Sequence, residues 1–523
     1  MSSLDEERQP LLPSTNNGSG CCATKKSCCA SGKGCCSTQM RPQRCNIPTT
    51  DDDYCHLADE PWEYKAVALS CALFLAVGSH FAAHTLGATK NILKKEFDIS
   101  NSQYGVIQSS VSVVNTILPV LGGIFIDAFG TIPGSILTTV LVASGNILVA
   151  LSISSKNLPM MIIGRVLYGI GSGTVVIVQE TILSQWFRGR SLAAVVALML
   201  TVSRLASFLA QATVVPIARW TGWYGYGFWF SAMLCVFSLV VNLVYIILLR
   251  RVSNPSVDCQ KRVEVIKRKK SFSWSKLLFL PHSYWLIASM EFLLGGAWGC
   301  FLHINSEFVK FRFGFDDAHA AATASVAQVL PVALMPILGM CVDRYGKRTW
   351  MMIGSGMSLL IAMLLLEFTN IHPILGMLIF SVSLSLGPVG LVSSVPVILP
   401  LSLVGTGMGL IKSGTNIGSA IFDITTGLLQ DADRNKGYSG VVLFFIAIAS
   451  LSVLAGVVLS ILDHSMYNDI LDRSASLAAR INKDKTQNAA PTLVKLKSNY
   501  FYATLYLSLA AVSWMLFFHF VLF

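Results

Sequence analysis

The chain has 523 residues, of which 53% are hydrophobic and only 13% charged, with a mean hydropathy of +0.60. A soluble domain carries about a quarter charged residues, so this composition excludes a soluble enzyme, a nucleic-acid binder and a disordered scaffold, and places the chain in a bilayer. The net charge of +11 does not call for nucleic acid, because much of the basic excess falls in short loops between apolar segments, where it sets membrane orientation.

Residues 1–63 are polar, rich in Ser, Thr, Gly and Cys, and read as a disordered cytosolic tail without a signal peptide. Three cysteine pairs, Cys21 with Cys22, Cys28 with Cys29 and Cys35 with Cys36, recur every seven residues. In a reducing cytosol these are free thiols, and vicinal thiolates are soft ligands suited to Cu(I). S-palmitoylation is the rival reading, although Cys36 lies about 30 residues ahead of the first apolar segment. Ahead of the cysteines, Glu7-Arg8-Gln9-Pro10-Leu11-Leu12 has the acidic dileucine form of a sorting signal for a clathrin-adaptor complex. It points to a vacuolar, lysosomal or related intracellular membrane.

Apolar segments follow at 66–92, 104–127, 133–155, 158–183, 191–218, 226–249, 283–308, 321–342, 350–368, 373–398, 404–429 and 439–463. Each is near the ~20 residues that a helix needs to cross the hydrocarbon core. A polar stretch at 464–497 precedes a thirteenth candidate at 499–523, read as an extra transmembrane helix, with a helix lying in the membrane surface as the alternative. The expected organisation is therefore a tail (1–63), a six-helix half (64–249), a basic linker (250–282), a second six-helix half (283–463), a linker (464–497) and the extra helix (498–523). Arg250, Arg251, Lys261, Arg262, Lys267, Arg268, Lys269 and Lys270 make the central linker cytosolic, together with the loops at Arg188–Arg190 and Arg344–Arg348. Lys90, Lys94 and Lys95 oppose that rule from the other side.

The two halves carry an internal repeat. Gly123-x-x-x-Asp127-x-x-Gly130 recurs as Gly339-x-x-x-Asp343-Arg344-x-Gly346, 216 residues further on. The glycines suit close packing and a tight turn, and the aspartates can cap the next helix, so the motif is expected to act as a hinge between conformational states. This paired motif, the basic linker and Gly164-Arg165-Val166-Leu167-Tyr168-Gly169-Ile170-Gly171 in segment 4 resemble the major facilitator superfamily of secondary transporters over about 64–463. The segments at 184–207, 313–326 and 405–421 resemble the branch containing lysosomal dipeptide exporters. The first motif departs from the usual pattern at Ala128, and Gly171-Ser172-Gly173 stands where that branch implies an acidic residue. The implied fold is an all-α polytopic bundle of two six-helix halves.

Several intramembrane residues could carry function. Arg204 sits near the middle of segment 5, where a bare charge costs at least ~2.5 kcal/mol, so it needs a partner or a watery cavity. It is expected either to hold a cargo carboxylate or to pair with an acid between helices. His80 and His84 share one helix face and could bind a metal, relay protons, contact cargo or simply bond to neighbouring helices. Lys412 and Asp423 in segment 11 lie about 16 Å apart and cannot pair. Glu291 in segment 7 is a candidate proton-coupling carboxylate or a partner for Lys412, while Glu180 and His303 read as structural. Met335, Met340 and Cys341 are candidate soft-metal ligands, since thioethers select Cu(I).

The favoured reading is a secondary transporter of copper or another soft metal, working by alternating access. Its alternative is a carrier of small peptides or amino acids, proton-coupled or uniport, across a vacuolar or lysosomal membrane. Membrane lipid surrounds it, no prosthetic group is expected, and Cu(I) on the tail is the one bound cofactor considered. No nucleophile and base stand at a spacing that suggests an enzyme.

Overall fold

The computed structural model describes residues 57, 60–119, 121, 131–187, 190–252, 280–399, 401–434, 437–467, 469–474 and 498–522. The cysteine pairs, the dileucine segment, the first loop motif (Gly123, Asp127, Gly130) and residues 253–279 of the linker lie outside the described residues.

Among the described residues every regular element is a helix. In hydrocarbon a helix is the way for one segment to satisfy its own backbone hydrogen bonds. In chain order they are α1 (Trp62–Ala88), α2 (Asn101–Val114), α3 (Thr131–Ser155), α4 (Leu158–Trp186), α5 (Arg190–Thr221) and α6 (Gly225–Val252), then α7 (His282–Phe313), α8 (Asp317–Val342), α9 (Arg348–Phe368), α10 (Pro373–Ile398), α11 (Leu401–Ala432), α12 (Ser439–Tyr467) and α13 (Ser498–Leu522). A short helix, Lys90–Phe97, joins α1 to α2. Side-chain caps mark several starts. Ser100 and Gln103 form a capping box at α2, Asn157 accepts from the Met160 N–H at α4, and Asp316 accepts from the His319 N–H at α8.

Eleven of these helices are long and apolar enough to cross a membrane. Of the other two, α2 is described over only 14 residues and α11 carries Lys412, Asp423 and Asp431. The two pack lengthwise on each other across the seam between the halves. Gly105 lets them touch. A Cβ there would stand 2.4 Å from the Asp423 carbonyl oxygen, so a side chain would force the helices apart.

Within the first half, α3 packs on α4 and α6, and α1 packs on α5 and α6. Its core includes Leu75, Trp186 and Tyr245, with the Trp186 indole donating to the Tyr245 hydroxyl at 3.2 Å. In the second half, α9 packs on α10 and α12 around an aromatic cluster in which Phe301 meets Phe380 and Phe445 at centroid distances of 4.8 and 5.7 Å. Beyond α2 and α11, the halves meet where α5 runs along α8 and α1 faces α7.

Irregular turns interrupt these seam helices. Helix α1 is broken at Ala76, α7 contains a π-helical turn at Glu291–Gly295, and α8 contains a 3₁₀ turn at Val326–Gln328. Such turns shift side-chain direction within a helix and gather at functional positions.

Helix α13 runs beside α11 and α2, lengthwise and not across the end of the bundle. Asn499 donates to the Leu280 carbonyl at 2.7 Å, Tyr506 to the Leu410 carbonyl at 2.9 Å, and Trp514 to the Thr116 hydroxyl at 3.0 Å. It is long and apolar enough to be the extra transmembrane helix. Its outer face, with Phe501 and Met515, is exposed, as a lipid-facing surface would be.

The second loop motif makes a tight turn. Gly346 has φ of 76°, and a Cβ there would fall 2.4 Å from the Arg473 carbonyl oxygen. Arg344 is exposed. Arg348 donates to the carbonyls of Leu471 and Arg473 at 3.1 and 2.9 Å, tying this turn to the segment after α12. Gly339 is different. Among the described residues outside its own helical turn, nothing lies within 4 Å of where its Cβ would stand.

Candidate functional site and its closed end

The break at Ala76 starts the stretch Val77–Ala88, which places His80 and His84 on one side of α1 facing the seam. His80 lies within electrostatic reach of Arg204 from α5 and Lys412 from α11. His84 lies within reach of His303 from α7, Arg204 and Arg165 from α4. Lys412 in turn reaches Glu180 of α4 and Glu291 of α7. The site residues expected from sequence in α1, α5, α7 and α11 are therefore brought to one cluster by helices from both halves.

The cluster holds unused hydrogen-bonding capacity. The His80 Nε2, His84 Nδ1, Glu291 Oε2 and Asp423 Oδ2 atoms are buried with no partner among the described residues. The bland reading of the histidines as bonded to neighbouring helices is not what the structure shows at those atoms. Among the described residues no carboxylate is within ion-pair distance of Arg204. Glu180 and Lys412, from opposite halves, are not covered by protein. A charged side chain in this position must be compensated by water or by a ligand.

Arg165 and Asp423 belong to the site more than the sequence suggested. Arg165 is buried and donates to Gln108 at 2.9 Å, and Gln108 donates to the Tyr104 hydroxyl at 2.8 Å. The Tyr104 hydroxyl in turn lies 3.0 Å from the His303 carbonyl. Asp423 does not approach Lys412; its Oδ1 lies 2.9 Å from His303 Nδ1. His303 and Asp423 thus join α7 to α11 beside the His84 ring. The signal for Arg165 lay in its charge within an apolar segment.

At the end of the bundle away from the 250–282 linker, the halves are fastened together. Lys90 and Lys94 meet Glu307 at 2.7 and 2.9 Å, with the Lys90 and Glu307 side chains 2% and 0% exposed. Lys90 also donates to Gln430 and to the Tyr438 hydroxyl, each at 3.0 Å, and Tyr438 donates to Glu307. Asp431 at the end of α11 accepts from the backbone N–H groups of Asn101 and Ser102 at 3.1 and 2.7 Å, capping α2 from the opposite half. Arg219 pairs with Asp316, again across the halves. The hydrogen bond from Arg219, with a second from His319, holds the Asp316 carboxyl well below the usual carboxylate range. Lys90 and Lys94, the lysines that oppose the orientation rule, are thus used in this closure. Glu307, which the sequence reading did not single out, is their shared partner.

The soft-metal set does not converge. Met335 is buried and Met340 is 66% exposed, as expected for positions about 140° apart around a helix, and Cys341 is exposed. Among the described residues no group of three or more His, Cys, Asp and Glu side chains is placed to hold a metal ion. The expectation of a copper cargo gains no support, and the cations gathered around His80 would repel a bare cation.

A sequence profile of the Major Facilitator Superfamily matches residues 69–423 and 287–523. Among curated proteins, the lysosomal dipeptide transporter MFSD1 of Bos taurus is 28% identical over 480 residues, covering 89% of this chain and 96% of that protein. MFSD1 of Homo sapiens is 28% identical, with coverage of 77% and 87%. Among solved structures, a D-xylose-proton symporter matches with a TM-score of 0.59 at 16% identity, covering 76% of this chain and 97% of that one. The peptide transporter POT in complex with sulfate matches with a TM-score of 0.57 at 15% identity, covering 78% and 96%. These structural likenesses speak to fold.

Proposed function

The chain belongs to the major facilitator superfamily and is a multi-pass membrane transporter, not an enzyme, and we propose that its cargo is a dipeptide or a similarly small peptide carried across a lysosomal or vacuolar membrane. The observation that carries this reading is Arg204, a guanidinium without an acidic partner among the described residues, set among His80, His84 and Lys412. A carboxylate is the ligand that such a fork-shaped donor binds in two parallel hydrogen bonds. The lysosomal dipeptide transporters to which the chain is similar support the same cargo class.

Alternating access supplies the mechanism: the two halves rock about a site near the midplane. With the 250–282 linker on the cytosolic side, the cluster around Lys90 and Glu307 closes the luminal end, and the cargo site communicates with the cytosol. For the cycle to proceed, bound cargo must favour the state in which the luminal ion pairs are broken, and it does so only through its differential contacts with the two states. The acidic dileucine segment at Glu7, Leu11 and Leu12 is the proposed address to that membrane.

Ligand-dependent thermal stability of the purified protein tests the assignment. A dipeptide at 100 times its Kd stabilises the fold by about 2.7 kcal/mol. The expected result is a rise in Tm with the free dipeptide, none with its C-terminal amide, and none with either in Arg204→Ala. Equal rises with acid and amide would refute a carboxylate contact at Arg204.

A further inference from the structure

Glu291 is a buried carboxylate in an unusual setting. It opens the π-helical turn Glu291–Gly295 of α7 and is 7% exposed. One oxygen, Oε1, accepts from the Thr415 hydroxyl of α11 at 2.8 Å, and the other, Oε2, is buried with no partner among the described residues. Gly295 leaves room for the group, since a Cβ there would lie 3.2 Å from Oε1 and 2.9 Å from Thr415.

Asp423 also keeps one unpartnered oxygen, Oδ2, among the described residues, but its Oδ1 lies 2.9 Å from His303 Nδ1 and the group is within electrostatic reach of Arg165, while Glu180 is exposed. Lys412 lies within electrostatic reach of Glu291 but not within ion-pair distance of it. One carboxylate oxygen is thus fixed in place by a hydroxyl, and the other is left buried without a hydrogen-bond donor among the described residues. An unsatisfied buried acceptor is costly, and an incoming cation relieves that cost.

Resting on the peptide reading above, we propose that Glu291 Oε2 binds the free α-ammonium of the cargo while Arg204 binds its carboxylate. Glu291 belongs to the second half and Arg204 to the first. A zwitterion held at both ends therefore spans the seam, and its two contacts are made together only when the halves take one relative position. A peptide lacking either charge loses that link. The site selects a free amine as well as a free acid.

Uptake into proteoliposomes of labelled alanyl-alanine and N-acetyl-alanyl-alanine tests this. For the natural sequence, uptake of the free amine is expected to exceed that of the acetylated peptide by about tenfold or more, the size of one charge-assisted hydrogen bond. In Glu291→Gln the preference is expected to fall below about threefold, chiefly through loss of free-amine uptake. Glu291→Asp draws the carboxylate back by one methylene, and it serves where the Gln variant does not insert, with the same expected loss. Equal uptake of the two peptides by the natural sequence overturns the assignment, as does an undiminished preference in either folded variant. Absence of all peptide uptake, or uptake indifferent to Arg204→Ala, would instead strike the peptide reading and remove this assignment with it.

Discussion

Lys90 Nζ and Glu307 Oε2 are 2.7 Å apart, and neither side chain keeps more than 2% of its surface exposed. The pair joins the helix that follows α1 to the end of α7, so it links the two halves at the end where Asp431 and Asp316 also bridge them. Removing one partner of a buried pair leaves an uncompensated charge and costs about 3–5 kcal/mol, whereas replacing both by apolar residues costs far less. Glu307→Gln is therefore expected to lower Tm more than the double variant Lys90→Met/Glu307→Met. It should also raise the rate at which an impermeant thiol reagent on the luminal side reaches His84→Cys. A single variant no worse than the double one would mean that the pair does not hold the halves.

Gly105 sets the spacing of α2 against α11, since its missing side chain faces the Asp423 carbonyl at 2.4 Å. Overpacking of this kind costs about 1–3 kcal/mol, and here it falls on a seam that must also move. Gly105→Val should lower Tm and slow transport, whereas Gly440→Val, at a position with nothing within 4 Å, should do neither. Calorimetric scans of the two purified variants, run beside uptake, separate them.

Asp316 gives a pH prediction with a definite sign. Its carboxyl is held below the usual range by Arg219 first and His319 second. A group whose folded pKa is depressed stabilises the fold above its unfolded pKa of about 3.9, and that contribution disappears as pH falls through the lower folded value. The Tm difference between Asp316→Asn and the natural sequence should stay constant from about pH 7 to pH 5 and shrink below about pH 4. A difference already vanishing near pH 6 would contradict the ion pair. The pair is exposed, so high salt should shrink the difference as well.

Helix α13 touches both halves, through Trp514 to Thr116 of the first and through Tyr506 and Asn499 to the second. Trp514→Phe keeps an aromatic ring, though a smaller one, and deletes the donor, whose hydrogen bond is worth about 0.5–1.5 kcal/mol. Trp514→Ala also removes the packing with Phe518 and should destabilise more. Comparable Tm values for Ala and the natural residue would show that α13 sits passively against the bundle.

The bundle was legible because lipid imposes length and apolarity on a spanning segment, and eleven of the helices meet both requirements. Less legible were the features that depend on two segments meeting. Glu307 is a single acid near the end of an apolar run, and nothing local marks it as the partner of Lys90, more than two hundred residues earlier. Lys90 and Lys94 looked like exceptions to an orientation rule until their partner was placed beside them. His303 and Asp423 read as structural or unpaired, yet they pair with each other next to His84. Met335 and Met340 are five residues apart in sequence but separated around the helix, so this part of the copper reading drew on a spacing that the fold does not use; its main support, the cysteine pairs, lies outside the described residues. The π turn that Glu291 opens left no pattern in the apolar run around it.

The central claim is that Arg204 binds the carboxylate of a transported peptide. Its most direct test is uptake of a labelled dipeptide and of labelled copper by vesicles containing the natural sequence, Arg204→Lys or Arg204→Ala. The account predicts dipeptide uptake that falls at least about tenfold in Arg204→Ala and stays impaired in Arg204→Lys, with no copper uptake in any of the three. Copper uptake that survives Arg204→Ala, in vesicles that take up no dipeptide, would contradict it.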